Sequence, residues 1–179
     1  FNDYIIDNNY FNLPVVGIEP SCLLTFSDEY QKLKNIKNKD KIKNQFYLLE
    51  EFILEEIKND NKIKMNKFNQ NVLIHGHCHQ KSQDRMKGLK NLLSELDIKN
   101  EMIDSSCCGM AGSFGYDSKN YEVSKKMANL SLIPAINNSD EKDFIIANGT
   151  SCRHQISDLS TKKGKHVSEL LFQIFETVN

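Results

Sequence analysis

No run of apolar residues in this 179-residue chain approaches the ~20 that a membrane-spanning helix needs. Phe1-Asn2-Asp3-Tyr4 is polar and acidic where a secretion signal would be basic, so no signal peptide is read there. The formal net charge is −1, which gives no reason to expect nucleic acid or an anionic membrane surface. Arginine is scarce (Arg85 and Arg153), a bias without functional content. The cysteines number five, an odd count that does not suit a secreted disulfide scaffold. They read instead as reduced thiols or metal ligands in a reducing compartment. A P-loop, a serine nucleophile elbow and a His-Glu-x-x-His motif are all missing. Gly109-x-x-Gly112-x-x-Gly115 lacks the one-residue first spacing of the dinucleotide fingerprint, which argues against a dinucleotide site. The chain opens on Phe1 rather than Met, and the expectation is a piece of a longer protein.

What the chain does have is alternation. It is 39% hydrophobic and 26% charged, with length enough for one domain and a real core. Pro14 to Glu19 reads as a buried strand, followed by a helical pattern at Leu23, Leu24, Phe26, Tyr30 and Leu33. Its apolar run predicts burial on both faces, in the same sheet as the later strands. Phe46, Leu49, Phe52, Ile53 and Ile57 recur at helical spacing. Residues 32–44 and 58–70 are polar connections. Asn71 to His75 reads as a strand, then a helix capped by Ser82 or Asp84 carries Met86, Leu89, Leu92, Leu93 and Leu96. A short strand around Glu101 to Asp104 precedes a helix through Val123, Met127, Leu130 and Ile133 that Pro134 ends. Phe144 to Ala147 is a further strand, and Val167 to Val178 the closing helix, with His166 as its cap. The pattern predicts an α/β fold: a mostly parallel sheet, helices on both faces, Rossmann-like βα units and ligand loops at the strands' C-terminal ends.

All five cysteines follow strands, so separate βα loops bring Cys22, Cys78, Cys107, Cys108 and Cys152 toward one sheet edge. Asp104-Ser105-Ser106-Cys107-Cys108-Gly109-Met110-Ala111-Gly112 is the unusual stretch. Neighbouring side chains normally point apart, and holding two adjacent thiols on one ligand needs the sharp backbone bend that Gly109 and Gly112 permit. Thiolates so arranged serve an iron–sulfur cluster or zinc; a metal-free redox dithiol and plain buried cysteines are the other readings. Singletons far apart plus one vicinal pair suit a larger inorganic core better than the two tight pairs of structural zinc sites. His75, His77 and His79 alternate around Cys78. Strand alternation would point His77 and His79 the same way, making them candidates for contacting the bound group, as a ligand or as a hydrogen-bond donor to a sulfur, against the plainer reading of histidines hydrogen-bonded at a strand end. His154 is equally open. Val16-Gly17-Ile18-Glu19-Pro20-Ser21-Cys22 weakly echoes Ile146-Ala147-Asn148-Gly149-Thr150-Ser151-Cys152, which suggests a duplication.

Gly76-His77-Cys78-His79-Gln80-Lys81, Cys107-Cys108-Gly109-Met110-Ala111-Gly112 and Gly149-Thr150-Ser151-Cys152-Arg153-His154-Gln155 together resemble the CCG-type cysteine-rich domain. That domain occurs in the B subunit of heterodisulfide reductase and in iron–sulfur subunits of glycolate oxidase type. The likeness is nearest to the C-terminal region of proteins fusing an FAD-linked oxidase to iron–sulfur domains. It implies an electron-transfer module for oxidation of a D-2-hydroxy acid such as D-lactate, glycolate or D-2-hydroxyglutarate, with no substrate turnover by this piece alone. It further implies a [4Fe–4S] cluster on Cys78, Cys107, Cys108 and Cys152, with zinc as the alternative, and FAD on another domain. The implied partners are that FAD-binding domain or subunit and a downstream acceptor such as a quinone or carrier protein. The implied place is the cytoplasm, free or peripheral on the inner membrane face. Residues 1–70 would be the end of a first repeat and 71–179 a complete second one. Cys22 then belongs to the first and is expected not to share the second's cluster. Glu19 and Gly149 stand where the family has the first cysteine of each Cys-x-x-Cys, which argues against disulfide-reducing chemistry on a non-cubane cluster pair.

Overall fold

The computed structural model describes residues 13–34, 36, 39–42, 44–59 and 65–175. In chain order these form β1 (Val15–Gly17), α1 (Pro20–Ser27), α2 (Glu29–Lys32), α3 (Lys39–Ile42), β2 (Phe46–Leu48) and α4 (Leu49–Asn59). There follow β3 (Val72–Ile74), α5 (Cys78–Ser82), α6 (Met86–Glu95), β4 (Asn100–Met102), a 3-10 turn (Phe114–Tyr116) and α7 (Tyr121–Ala128). The last elements are α8 (Leu132–Asn137), β5 (Phe144–Ile146), α9 (Thr150–Leu159) and α10 (Val167–Ile174).

The fold is α/β, with parallel strands and helices around them. β3 is the centre of a three-stranded sheet in the order β4-β3-β5, with Leu73 opposite both Glu101 and Ile145. Both β3 (Val-Leu-Ile) and β5 (Phe-Ile-Ile) are buried at every position, as strands covered on two faces must be. Strand alternation then divides the core. Val72, Ile74, Phe144 and Ile146 pack with Leu54 and Ile57 of α4, Leu89, Leu92 and Leu93 of α6, and Leu170 and Ile174 of α10. Leu73, Ile145 and Ala147 pack on the opposite face with Ala128 of α7, Leu132, Ile133 and Ile136 of α8, and Ile156 of α9. A buried leucine such as Leu92 contributes about 1.5–3 kcal/mol of transfer free energy, so these two layers dominate stability.

Four sequence expectations are corrected. β1 does not join this sheet: it pairs in parallel with β2 in a separate two-stranded sheet, over its own small core of Leu23, Leu24, Ile42, Phe46 and Leu48. Nor is it buried on both faces, since Val16 and the following Ile18 are exposed. Phe46 to Leu48 is a strand rather than the start of a helix. Phe46 and Leu48 both point into that core at strand spacing, and the helix begins only at Leu49. The helix expected after Ser82 is present as α6, but its cap is corrected: Arg85 stands at the N-cap, and Asp84, at a left-handed φ of 54°, lies in the turn that separates it from the short α5. Pro134 lies inside the first turn of α8, where a missing N–H is tolerated, rather than at a helix end. His166 does cap α10, in a capping box with Glu169. The expected extension of that helix to Val178 lies outside the described residues.

The small sheet is fastened to the large one by polar contacts. Glu50 of α4 is 1% exposed, and its Oε1 accepts from Gln80 Nε2 at 2.7 Å and from Asn148 Nδ2 at 3.0 Å. The Arg85 guanidinium forks onto the Glu51 carboxylate and also reaches the Phe46 carbonyl at 3.2 Å. His166 Nε2 donates to the Ile18 carbonyl at 2.8 Å. The bonds to Gln80 and Asn148 reach the segments that follow β3 and β5, which also carry Cys78 and Cys152.

Candidate metal centre

Parallel strands end at one edge, so the residues after β3, β4 and β5 converge there. One cleft of about 400 Å³ is lined by Cys78 and its neighbours His77 and His79, by Cys107, Cys108, Ala111 and Gly112, by Ser151 and Cys152, and by Ser21. The structure thus brings together the four cysteines of the β3, β4 and β5 loops, both candidate histidines and Gly112. Cys78 is exposed and Cys107 half-buried, whereas Cys108 and Cys152 are buried within the apolar layer of α7, α8 and α9. Cys22 is exposed and does not line the cleft.

The vicinal pair is held by backbone bending. Gly109 has φ +90° and Gly112 φ +67°, with Ala111 between them at φ +40°. At Gly109 a Cβ would run into the Ser124 carbonyl of α7, so the position requires glycine twice over, for conformation and for space. The bend turns the Gly109 N–H back onto Cys107 Sγ at 3.3 Å. Cys152 occupies the third position of α9, and Cys22 the third position of α1, so the sequence echo between the two stretches is also an echo of local structure.

The sulfurs perturb one another. The hydrogen bond from Cys152, and behind it the His75 ring and the Met110 N–H, draw the Cys108 thiol pKa well below its ordinary value, outweighing burial. Cys152, giving that bond and buried beside a thiolate, is pushed up. Burial and the neighbouring Cys107 raise Cys78 to about 11. Cys78, Cys108 and Cys152 thus compete over their protons, a conflict that a metal centre binding them as thiolates relieves.

The histidines divide by role. His77 is the N-cap of α5: its Nδ1 accepts from the His79 N–H at 3.2 Å, and its ring stacks on His79 at 5.4 Å between centroids. Burial holds its pKa below the ordinary imidazole value. A Cβ on Gly149 would strike the His77 ring, lying 3.0 Å from Nε2 and 3.2 Å from Cys152 Sγ, so this imidazole fills the space a side chain at 149 would take. His154 is turned away from the cleft to Tyr116, Nδ1 to hydroxyl 2.5 Å. His75 reads from the sequence only as a strand-end histidine, yet it is 1% exposed and shares a 4.8 Å neighbourhood with Cys108 Sγ and Cys152 Sγ. Its period-two spacing to His77 was the available signal, and nothing in the sequence ranked it first.

Glu19 also has a role that sequence did not reveal. Its Oε2 accepts from the Thr150 N–H at 2.9 Å and the Thr150 hydroxyl at 2.8 Å, and its Oε1 from Ser21 at 2.9 Å. A carboxylate carried by the small sheet therefore caps α9 in the large one. Burial pushes the Glu19 carboxyl up, but the Thr150 and Ser21 bonds outweigh it and leave its pKa below the ordinary range.

Residues 72–157 match the family model of the cysteine-rich domain (CCG). Over 163 residues the chain is 24% identical to a D-2-hydroxyglutarate dehydrogenase of Pseudomonas putida, a match that covers 90% of this chain but 15% of that protein. Against the C subunit of anaerobic glycerol-3-phosphate dehydrogenase of Escherichia coli it is 23% identical over 164 residues, 90% of this chain and 40% of the relative. The D-2-hydroxyglutarate dehydrogenase of Haemophilus influenzae is 24% identical over 174 residues, and there the chain spans 16% of the relative. No solved structure matches the chain. Among the described residues no helix is long and apolar enough to cross a membrane.

Proposed function

Because residues 72–157 match the family model of the cysteine-rich domain (CCG), we propose that the chain is an iron–sulfur electron-transfer module of an FAD-linked 2-hydroxy-acid dehydrogenase. Cys78, Cys107, Cys108 and Cys152 would hold a [4Fe–4S] cluster. The observation that carries this reading is the meeting of four thiols from three βα loops in one cleft. The donor set fits: thiolates are the ligands such a cluster takes, and the buried His75, whose Nε2 is without a hydrogen-bond partner, lies beside the Cys108 and Cys152 sulfurs. The relatives' names, D-2-hydroxyglutarate dehydrogenase above all, support a D-2-hydroxy acid as the substrate of the whole protein. When bound, such a cluster passes one electron at a time, so the two electrons from oxidising a hydroxy acid to the oxo acid on a flavin elsewhere would leave in two passages to a quinone or carrier protein.

This chain's own residues bind and insulate. Gly109 and Gly112 shape the loop that lets both vicinal thiols face the cleft, and the Gly109 N–H steadies the Cys107 sulfur. Cys108 and Cys152 sit in the apolar layer, which keeps water from the inner side, while Cys78 stands at the exposed rim. His77 and His79 form the wall beside it. The shared placement of Cys22 and Cys152 in their helices supports reading residues 1–70 as the end of a preceding repeat and 71–179 as a whole one. Cys22 then lies outside the cluster.

A second reading is a zinc-holding or metal-free docking domain. It is favoured by His75, Cys108 and Cys152, whose donor atoms lie within 4.8 Å of one another and make a nitrogen–sulfur set suited to zinc. The two separate by substitution under anaerobic reconstitution with iron and sulfide. Cys108→Ser should lower iron per chain sharply and abolish the EPR signal of the reduced protein, and Cys22→Ser should leave both unchanged. Iron lost in Cys22→Ser would mean one shared five-cysteine site instead.

A further inference from the structure

Three groups outside the four thiols have unspent chemistry: the buried Glu50 carboxyl, the Lys142, Lys162, Lys163 and Lys165 surface near Phe144, and His75. The lysines are without a built ligand site, and Glu50 is satisfied by two amides. His75 is neither exposed nor satisfied. Its backbone N–H is committed to the Ile146 carbonyl at 2.8 Å, so the residue is fixed to the sheet. Its Nδ1 meets Ser105 Oγ at 2.8 Å, with Ser105 itself buried. That leaves Nε2, buried and without a hydrogen-bond partner, as the nitrogen available to the two inner sulfurs, Cys108 and Cys152.

We infer that His75, positioned by Ser105, donates its Nε2–H to the inner thiolate sulfur of the bound cluster and raises the cluster's reduction potential; the inference rests on the cluster reading above. The tautomer follows from the surroundings. A serine hydroxyl either donates to Nδ1 or accepts from it. When it donates, the ring proton is on Nε2 and points at sulfur; when it accepts, a nitrogen lone pair faces electron-rich thiolates. The first arrangement is attractive and the second repulsive, so the Ser105 hydroxyl donates. With four thiolates lining the cleft a cubane has its ligands, and His75 serves as a donor and not as a fifth ligand. A donor to a ligand sulfur stabilises the more negative reduced cluster, as the Gly109 N–H does for Cys107 at the outer side. His75 is thus a positioning and tuning residue.

The test uses the anaerobically reconstituted full chain, with three readouts: iron and sulfide per chain, an EPR-monitored redox titration, and ENDOR in H2O and D2O. His75→Leu should keep its iron and titrate at lower potential, with one strongly coupled exchangeable proton missing. His75→Gln, whose amide N–H reaches about where Nε2–H does, should restore part of the shift and the proton coupling. Ser105→Ala should move the potential in the same direction by less. Iron loss in both His75→Leu and His75→Gln would make His75 a ligand and overturn the inference. So would an iron-loaded His75→Leu with unchanged potential and unchanged proton coupling. If His75→Leu fails to fold, His75→Gln and Ser105→Ala decide: unshifted potentials in both refute it. A wild-type chain that takes up no iron and sulfide overturns the cluster reading itself, a different failure with a different signature.

Discussion

Glu50→Gln should stabilise this protein, and more so as the pH rises. Glu50 is 1% exposed, and burial, with the charge of neighbouring Glu51, raises its carboxyl from 4.5 to about 7 against the pull of its hydrogen bonds from Gln80 and Asn148. The folded state therefore holds a proton that the unfolded chain gives up near the ordinary value. Stability is lost as pH climbs from about 4.5 to about 7 and is level above that. At about 1.4 kcal/mol per pH unit the loss comes to about 3 kcal/mol. Glutamine mimics the protonated acid: its carbonyl accepts from the same two amides, and its NH2 replaces the acid O–H. The variant should match the wild type near pH 4.5 and exceed it by up to about 3 kcal/mol at pH 8, a midpoint shift of about 1.5 M urea for a slope of about 2 kcal/mol/M. Urea unfolding of both chains from pH 4.5 to 8 reads this directly, and titrations common to both cancel in the difference. A stability difference that is flat with pH, or a variant destabilised throughout, would refute a protonated Glu50 at this junction.

Two further outcomes follow from the loop and the cap. Gly112→Ala meets no atom within 4 Å and should cost only its left-handed φ, about 1 kcal/mol, whereas Gly109→Ala adds a collision with the Ser124 carbonyl and should cost about 3 kcal/mol or more. Equal losses in chemical denaturation would mean that the loop yields freely. Glu19→Ala should destabilise by about 1 kcal/mol at pH 7, since α9 loses the acceptor for Thr150. The Glu19 pKa is lowered, so its contribution is present above the ordinary carboxylate range and fades as pH falls through the folded value. The melting temperatures of variant and wild type should therefore converge as the pH falls below the ordinary carboxylate range, and a gap that persists in strong acid would assign the effect to packing.

The elements built on long apolar periodicity were legible, and so was the meeting of the cysteine loops after β3, β4 and β5 at one sheet edge, though Cys22, expected there with them, follows the separate sheet and stays outside the cleft. Val72 to Ile74 and Phe144 to Ile146 are unbroken apolar runs, and such runs have no stable place except inside a sheet covered on both faces. β1 was misplaced because Val15-Val16-Gly17-Ile18 is equally apolar. Which sheet a three-residue strand joins depends on distant partners such as Phe46, a fact absent from local pattern. Phe46 and Leu48 fit strand and helix spacing alike over so short a window, and Leu49 continuing the helix concealed the change. At the site, the cysteines were visible because thiols are rare. His75, Ser105 and Glu19 were not, because their roles arise from contacts of 30 and 131 positions in sequence separation.

The central claim is that four cysteines from three loops hold an iron–sulfur cluster. Iron, acid-labile sulfide and zinc measured per chain on anaerobically reconstituted protein test it most directly. The account predicts about four iron and four sulfide per chain, with negligible zinc. One zinc per chain without acid-labile sulfide would contradict it.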